Sequence, residues 1–131
     1  MVQNESVNFS AAEIKIIVHA TEQKDSILEH VNSTLNIPPN TFSIVKTHGH
    51  WGNEILLLTS LLSKNDANSL YRKVEASLFE NYDKLPSDFF DEKGNLYIRL
   101  DKQRLCRGKV SISEGDSIRI RFRNVLTYGS S

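Results

Sequence analysis

The chain has 131 residues, hydrophobic residues make up 39% of it, and 16 Lys and Arg balance 16 Asp and Glu. This length suits one domain with its own core, and a single cysteine excludes an internal disulfide or a zinc site built on several cysteines. A net charge of zero, if it were evenly spread, would also argue against a nucleic-acid partner.

β-Branched runs, apolar residues at helical spacing and glycine or proline breaks divide the chain into nine predicted elements. In chain order these are a strand at 14–20, a helix from Thr21 to about Leu35, strands at 42–46 and 55–62, a helix from 63–66 to about Tyr82, a strand at 96–100, a short helix at 101–107, and strands at 109–112 and 117–123. Residues 1–12 and 125–131 are predicted to be flexible tails around one domain at 13–124.

The element order is β-α-β-β-α-β-(α)-β-β, in which hairpins replace strict alternation of strands and helices. This order predicts an α+β fold, with a mostly antiparallel sheet and two helices packed on one face. The other face is expected to be open to water or a partner. No signal sequence or apolar run of about twenty residues is present, so we expect a cytoplasmic protein without membrane contact.

The zero net charge conceals an uneven distribution along the chain. Residues 1–98 carry eight basic and thirteen acidic groups, whereas residues 99–123 carry eight basic and three acidic groups. Segments of opposite sign within one chain indicate an anionic partner for the basic part.

The last predicted strand carries three arginines on one face, because Arg119, Arg121 and Arg123 alternate with apolar residues. Arginine forks match phosphate oxygens in pairs, and Tyr97 is expected to share this face. A merely solvated strand is the alternative, but ordinary surfaces mix both signs. The residues predicted to contact phosphates are Arg99, Lys102, Arg104, Arg107, Lys109, Arg119, Arg121 and Arg123.

The predicted turn at 48–53 is a second candidate site. Tyr97, His50 and Trp51 can stack on unpaired bases, and Asn53 can read a base edge; we also include His48 in the RNA-binding set. One alternative is that Trp51 packs on the core, and another is a metal site formed by His48, His50 and His19. Since no carboxylate or cysteine accompanies the pair, we expect neither a metal nor a cofactor.

Catalytic motifs are absent from the sequence. It contains neither a glycine-rich phosphate loop nor a nucleophile elbow, so we expect no enzyme activity. Cys106 lies between Arg104 and Arg107; we expect a free, buried thiol, and the alternative is a reactive thiol whose pKa these two charges lower.

Three segments, in their order along the chain, resemble an archaeal family of RNA-binding proteins that includes predicted exosome subunits. They are residues 16–22, the turn at 48–55, and 100–103 with 108–110. The family's Asp-Lys-Gln motif falls on Asp101, Lys102 and Gln103, and its His-Gly-Asn turn falls on His50, Gly52 and Asn53. The family commonly has Tyr where Trp51 stands and Pro where Glu54 stands.

The resemblance implies a fold similar to that of the ribosomal protein that binds 5S rRNA, an archaeal cytoplasmic setting and an RNA partner. Together with the basic strand, it predicts a non-enzymatic RNA-binding protein that serves RNA processing or degradation with exosome components, or ribosome-related RNA. The alternative is a protein-interaction module or homodimer, in which the basic segment meets an acidic surface.

Overall fold

The structure, a computed structural model, describes residues 8–78, 87–113, 115 and 117–124. Its strands form one antiparallel sheet in the order β2-β3-β1-β5-β4. They are β1 (Phe9–His19), β2 (Ser43–His48), β3 (Glu54–Leu62), β4 (Leu96–Asp101) and β5 (Ser117–Asn124). The helices are α1 (Lys24–Leu35), α2 (Lys64–Leu78) and the short α3 (Lys102–Leu105), with 3₁₀ turns at Pro39–Thr41 and Ser87–Phe89. The predicted α+β class is confirmed.

Alternation along the strands builds the core between the sheet and the two longer helices. Leu58, Ile16, Ile118 and Leu100 lie directly opposite one another across β3, β1, β5 and β4, and all four are fully buried. Burying each such side chain contributes about 1.5–3 kcal/mol. Because side chains alternate in a strand, the intervening residues point to the opposite face of the sheet, called here the open face.

Strand β1 begins at Phe9, earlier than predicted, so the last four residues of the predicted tail belong to the sheet. The Phe9 ring is buried 5.1 Å from the ring centroids of both Tyr71 and Phe122. Its backbone amide donates to the Asn68 side chain, whose amide group donates back to the Phe9 carbonyl. Residues 1–7, 125–131 and the predicted helix end near Tyr82 lie outside the described residues.

The prediction of a strand at 109–112 is wrong. Only one isolated bridge, between Leu100 and Ile112, joins this segment to the edge of β4. The amide of Lys109 donates instead to the carbonyl of Arg104, and Gly108 turns the chain with a φ of +80°. These contacts hold the segment's start in the turn after α3, so the sheet described here has five strands rather than six.

Within the described residues, no helix is long and apolar enough to cross a membrane.

Candidate nucleic-acid interface

Three cations lie side by side across the open face. Lys15 of β1 lies directly opposite Arg119 of β5, which lies directly opposite Arg99 of β4. Directly opposite residues in a sheet have Cβ atoms about 4.5–5.5 Å apart, where like charges destabilise each other. Among the described residues neither arginine forms an ion pair, and Lys15 reaches only Glu13, at 3.9 Å. This cationic row therefore carries a repulsion that a bound anion would relieve.

A second row, called the mixed row, crosses the open face beside the cationic row. Leu61, Glu13, Arg121 and Tyr97 lie directly opposite one another across β3, β1, β5 and β4. The Arg121 guanidinium lies over the Tyr97 ring, 5.8 Å from its centroid, a cation–π contact. No ion pair joins Glu13 to Arg121 within 4.0 Å, and Arg121 Nε is inaccessible to solvent and has no hydrogen-bond partner in the part of the chain that the structure describes. The mixed row thus brings together apolar, acidic, basic and aromatic groups.

Tyr97 is held in place by the turn that precedes β4. Its hydroxyl donates to Oδ2 of Asp91 at 3.2 Å. Although desolvation acts the other way, hydrogen bonds from Asn95, Lys93 and Tyr97 lower the pKa of Asp91. The carboxylate therefore remains an acceptor for Tyr97 to a lower pH than an ordinary aspartate would.

The structure divides the eight predicted basic residues between different surfaces. Arg99, Arg119, Arg121 and Arg123 share the open face with Tyr97. By contrast, Arg104 and Lys109 line a separate cleft of about 790 Å³ that also involves α1 and α2. Arg107 is exposed in the turn after α3.

Lys102 does not lie on any surface, which corrects its prediction as a phosphate contact. Only 1% of its side chain is exposed, and Nζ donates to Oε1 of Glu22 at 2.9 Å and to the Ile17 carbonyl at 2.7 Å. Glu22, expected in the first turn of the helix, instead precedes α1 and also accepts from the amide of His19. Lys102 therefore joins α3 to the end of β1.

The β2–β3 turn is a tight one that depends on its glycines. Gly52 adopts a φ of +81°, and a Cβ on Gly49 would lie 2.7 Å from Asn53 Oδ1. The amide of Gly49 donates to the Asn53 carbonyl at 2.7 Å, which closes the hairpin. This geometry displays the side chains between the glycines on the outside of the turn.

Trp51 is 87% exposed at this hairpin tip, so the alternative in which it packs on the core is wrong. Its ring meets the His50 ring edge to face, with centroids 4.6 Å apart. His48 and Asn53 are exposed beside them. Within the described part of the chain, no three His, Cys, Asp or Glu side chains are grouped so that they could hold a metal.

The hairpin tip and the basic strands lie at different places on the sheet. The tip, residues 49–52, lies at the same end of the sheet as the last residue of β4 and the first residue of β5. Across the sheet, however, β3 and β4 are three strand positions apart. At a spacing of about 4.8 Å between strands, the lateral separation is about 14 Å. An extended ligand is needed to contact both.

Lys15, Glu13 and Leu61 were not predicted as site residues. Each lies beside the arginines on the open face only because β1 pairs with β3 on one side and with β5 on the other. Alternation along β1 indicates that Lys15 and Glu13 share one face of the sheet. The sequence around them does not indicate which residues of β5 they pair with.

A family model for RNA binding matches residues 11–124 of the chain. This chain belongs to that RNA-binding family. RNA-binding protein PAB1135 of Pyrococcus abyssi is 31% identical over an alignment that covers 84% of this chain and 78% of that protein. The stretch matched to the RNA-binding family runs from β1 to the end of β5, and so contains both rows and the hairpin tip.

Solved structures of archaeal proteins share this fold. Mth689 of Methanothermobacter thermautotrophicus, a DUF54 protein, has a TM-score of 0.74 at 26% identity, covering 90% of this chain and 86% of that one. AF2318 of Archaeglobus fulgidus, also DUF54, has a TM-score of 0.70 at 28% identity, covering 88% and 86%. This member of the RNA-binding family therefore has archaeal relatives over most of its length.

The pKa of the Cys106 thiol is raised rather than lowered in this member of the RNA-binding family. Partial burial and then the nearby Glu22 carboxylate raise its pKa, although the Lys102 ammonium acts in the opposite direction. The alternative in which neighbouring arginines lower the pKa of Cys106 is therefore wrong, since partial burial and the Glu22 carboxylate outweigh the Lys102 charge.

Proposed function

We propose that this protein binds RNA on the open face of its sheet and catalyses no reaction itself. The observation that carries the proposal is the cationic row of Lys15, Arg119 and Arg99. Two of its members have no carboxylate partner among the described residues, and their mutual repulsion favours an anion placed between them. A phosphate can accept paired hydrogen bonds from each arginine fork.

An extended polyanion fits this face better than a small anion does. Successive arginines on one face of β5 are about 6.8 Å apart along the strand, at a rise of about 3.4 Å per residue. Tyr97 on the same face and Trp51 at the hairpin tip offer aromatic rings to unpaired bases. The name of the relative from Pyrococcus abyssi, an RNA-binding protein, supports the same ligand.

For the biological role, we propose an accessory factor in cytoplasmic RNA processing or degradation in an archaeon, acting with exosome components, or on ribosome-related RNA. The resemblance of 16–22, the 48–55 turn and 100–103 to a family with predicted exosome subunits supports this role. Co-purification of the tagged protein from archaeal cells, with and without ribonuclease, separates a direct exosome contact from one that RNA mediates.

The salt dependence of binding tests the proposed function. We expect the affinity for a labelled single-stranded RNA, measured by fluorescence anisotropy, to fall about 50-fold between 50 and 200 mM salt. This corresponds to a log–log slope of about −3 for four phosphate contacts at about −0.7 each. An affinity that does not change over this range would contradict phosphate binding by the cationic row.

Replacing Trp51 with alanine is expected to weaken RNA binding without weakening the fold. Because the side chain is 87% exposed, the free energy of unfolding should change by less than about 0.5 kcal/mol. Loss of one stacked base costs about 1–3 kcal/mol, which is about 5- to 150-fold in affinity. Chemical denaturation and anisotropy measure the two effects, and a variant with unchanged affinity would remove the hairpin tip from the RNA site.

A protein-interaction module or homodimer is the second candidate function, and one observation favours it. Leu61 and Val45 are 74% and 56% exposed on the half of the open face away from the arginines. Exposed apolar residues beside a basic surface suit a partner that is both apolar and acidic. Size-exclusion chromatography of RNA-free protein at low and high salt tests this, since a monomer under both conditions would argue against self-association.

A further inference from the structure

A small depression lies on the open face at the end of the mixed row, beyond the cationic row. Ala11, Glu13, Leu61, Arg121 and Arg123 line it, and its volume is about 270 Å³. The register explains its shape, because the small Ala11 of β1 lies directly opposite the long Arg123 of β5. Ala11 therefore forms the bottom of the depression, and the longer side chains of β3 and β5 form its sides.

The walls of the depression suit a flat ring. Leu61, 74% exposed, offers an apolar surface on one side, and the guanidinium group of Arg123 offers a planar cation on the other. Bases stack on guanidinium planes as they do on aromatic rings. The volume lies just below the roughly 300–1,000 Å³ of sites for drug-sized ligands, so it fits one base better than a larger molecule.

Two polar groups of the depression form few hydrogen bonds or ion pairs with the described part of the protein. Arg121 Nε is buried and has no hydrogen-bond partner among the described residues, so a small rotation of this guanidinium toward a ligand breaks no described hydrogen bond of that atom. Within the described ranges the Glu13 carboxylate has one ion pair, the 3.9 Å contact to Lys15, and none with Arg121, which lies directly opposite. Two carboxylate acceptors and a guanidinium donor thus lie on neighbouring strands.

We propose that this depression, called here the base pocket, binds one guanine base of the RNA; the proposal rests on the proposed function. Guanine presents two adjacent donors, N1–H and N2–H, next to the O6 acceptor. The two oxygens of Glu13 accept from the donors, and Arg121 donates to O6. A carboxylate among phosphate-binding cations would otherwise only repel the ligand.

The base pocket also lies at a suitable distance from the phosphate site. Glu13 and Lys15 are two residues apart on β1, which is about 6.8 Å along the strand. A nucleotide can therefore place its base over the mixed row while a neighbouring phosphate lies on the cationic row. Glu13, Arg121 and Leu61 would then determine specificity, whereas Lys15, Arg99 and Arg119 would bind any sequence.

The test compares labelled eight-nucleotide RNAs that are identical except at one central position, within a run of uridines. We expect the RNA with a guanosine there to bind about tenfold more tightly than those with adenosine, cytidine or uridine. In Glu13→Gln that ratio should fall to near one, and Arg121→Lys should also lower it. Glu29→Gln, which removes an exposed carboxylate on α1, should keep the ratio of the unaltered protein.

The outcomes separate the base pocket from the proposed function. Salt-dependent binding of all four RNAs with equal affinity would overturn the base pocket and leave RNA binding on the open face standing. A guanine preference that survives in Glu13→Gln would also overturn the pocket. If none of the four RNAs binds at low salt, the proposed function itself fails.

Discussion

Replacing Lys102 with methionine is expected to lower the free energy of unfolding by about 2–4 kcal/mol. The change removes the ammonium donor from the Ile17 carbonyl and from the Glu22 carboxylate, whose side chain is 18% exposed and keeps the hydrogen bond from the His19 amide. Removing one partner of a buried ion pair costs about 3–5 kcal/mol, and the partial exposure of Glu22 reduces this figure. Denaturant unfolding followed by circular dichroism measures the loss.

Two variants make this expectation specific to the buried pair. Lys109→Met makes the same chemical change at an exposed position and should alter the free energy of unfolding by less than about 0.5 kcal/mol. Adding Glu22→Gln to Lys102→Met removes the unpaired charge and should restore part of the stability. A Lys102→Met protein as stable as the unaltered one would show that the pair is not needed for folding.

Replacing Arg119, Arg121 and Arg123 together with alanine is expected to weaken RNA binding about 100-fold or more at 50 mM salt. The log–log salt slope should become shallower by about 1.5–2, because two or three phosphate contacts are lost. The fold should persist, since Arg119 and Arg123 are exposed and removing Arg119 relieves repulsion in the cationic row. Anisotropy measures the affinity, and circular dichroism checks the fold.

A matched control distinguishes the position of the charges from their number. Lys64, Arg72 and Lys73 are exposed on α2, which packs on the opposite face of the sheet. Replacing all three with alanine removes the same charge, and should change RNA affinity by less than about threefold, through long-range attraction alone. Equal losses in the two triple variants would mean that net charge, rather than the open face, governs binding.

The arginines of β5 could be placed from the sequence because strand alternation is local. Isoleucine and phenylalanine at every second position fix which side faces the core, and the arginines must then share the other side. The partners of those arginines could not be placed in this way. Lys15, Glu13 and Leu61 join them through strand register, which depends on contacts between residues about 50 or about 105 positions apart along the chain.

Lys102 shows why composition alone misplaces a charge. It lies in the most basic part of the chain, yet its ammonium is buried because Glu22 and the Ile17 carbonyl, 80 and 85 residues earlier, surround it. The charges beside it along the chain do not distinguish it from the exposed Lys109. Trp51 is the reverse case, since a lone tryptophan in a turn is compatible with the core or the surface until the hairpin is placed.

Photocrosslinking to a single-stranded RNA containing 4-thiouridine, followed by mass spectrometry of the linked peptides, tests the location of the RNA most directly. We predict crosslinks in peptides of β4, β5 and the hairpin tip, at Tyr97, Trp51 or their neighbours, and loss of the β4 and β5 crosslinks in the Arg119, Arg121 and Arg123 variant. Crosslinks confined to α1 and α2 would place the RNA on the opposite side of the sheet and contradict the proposal that the open face binds it.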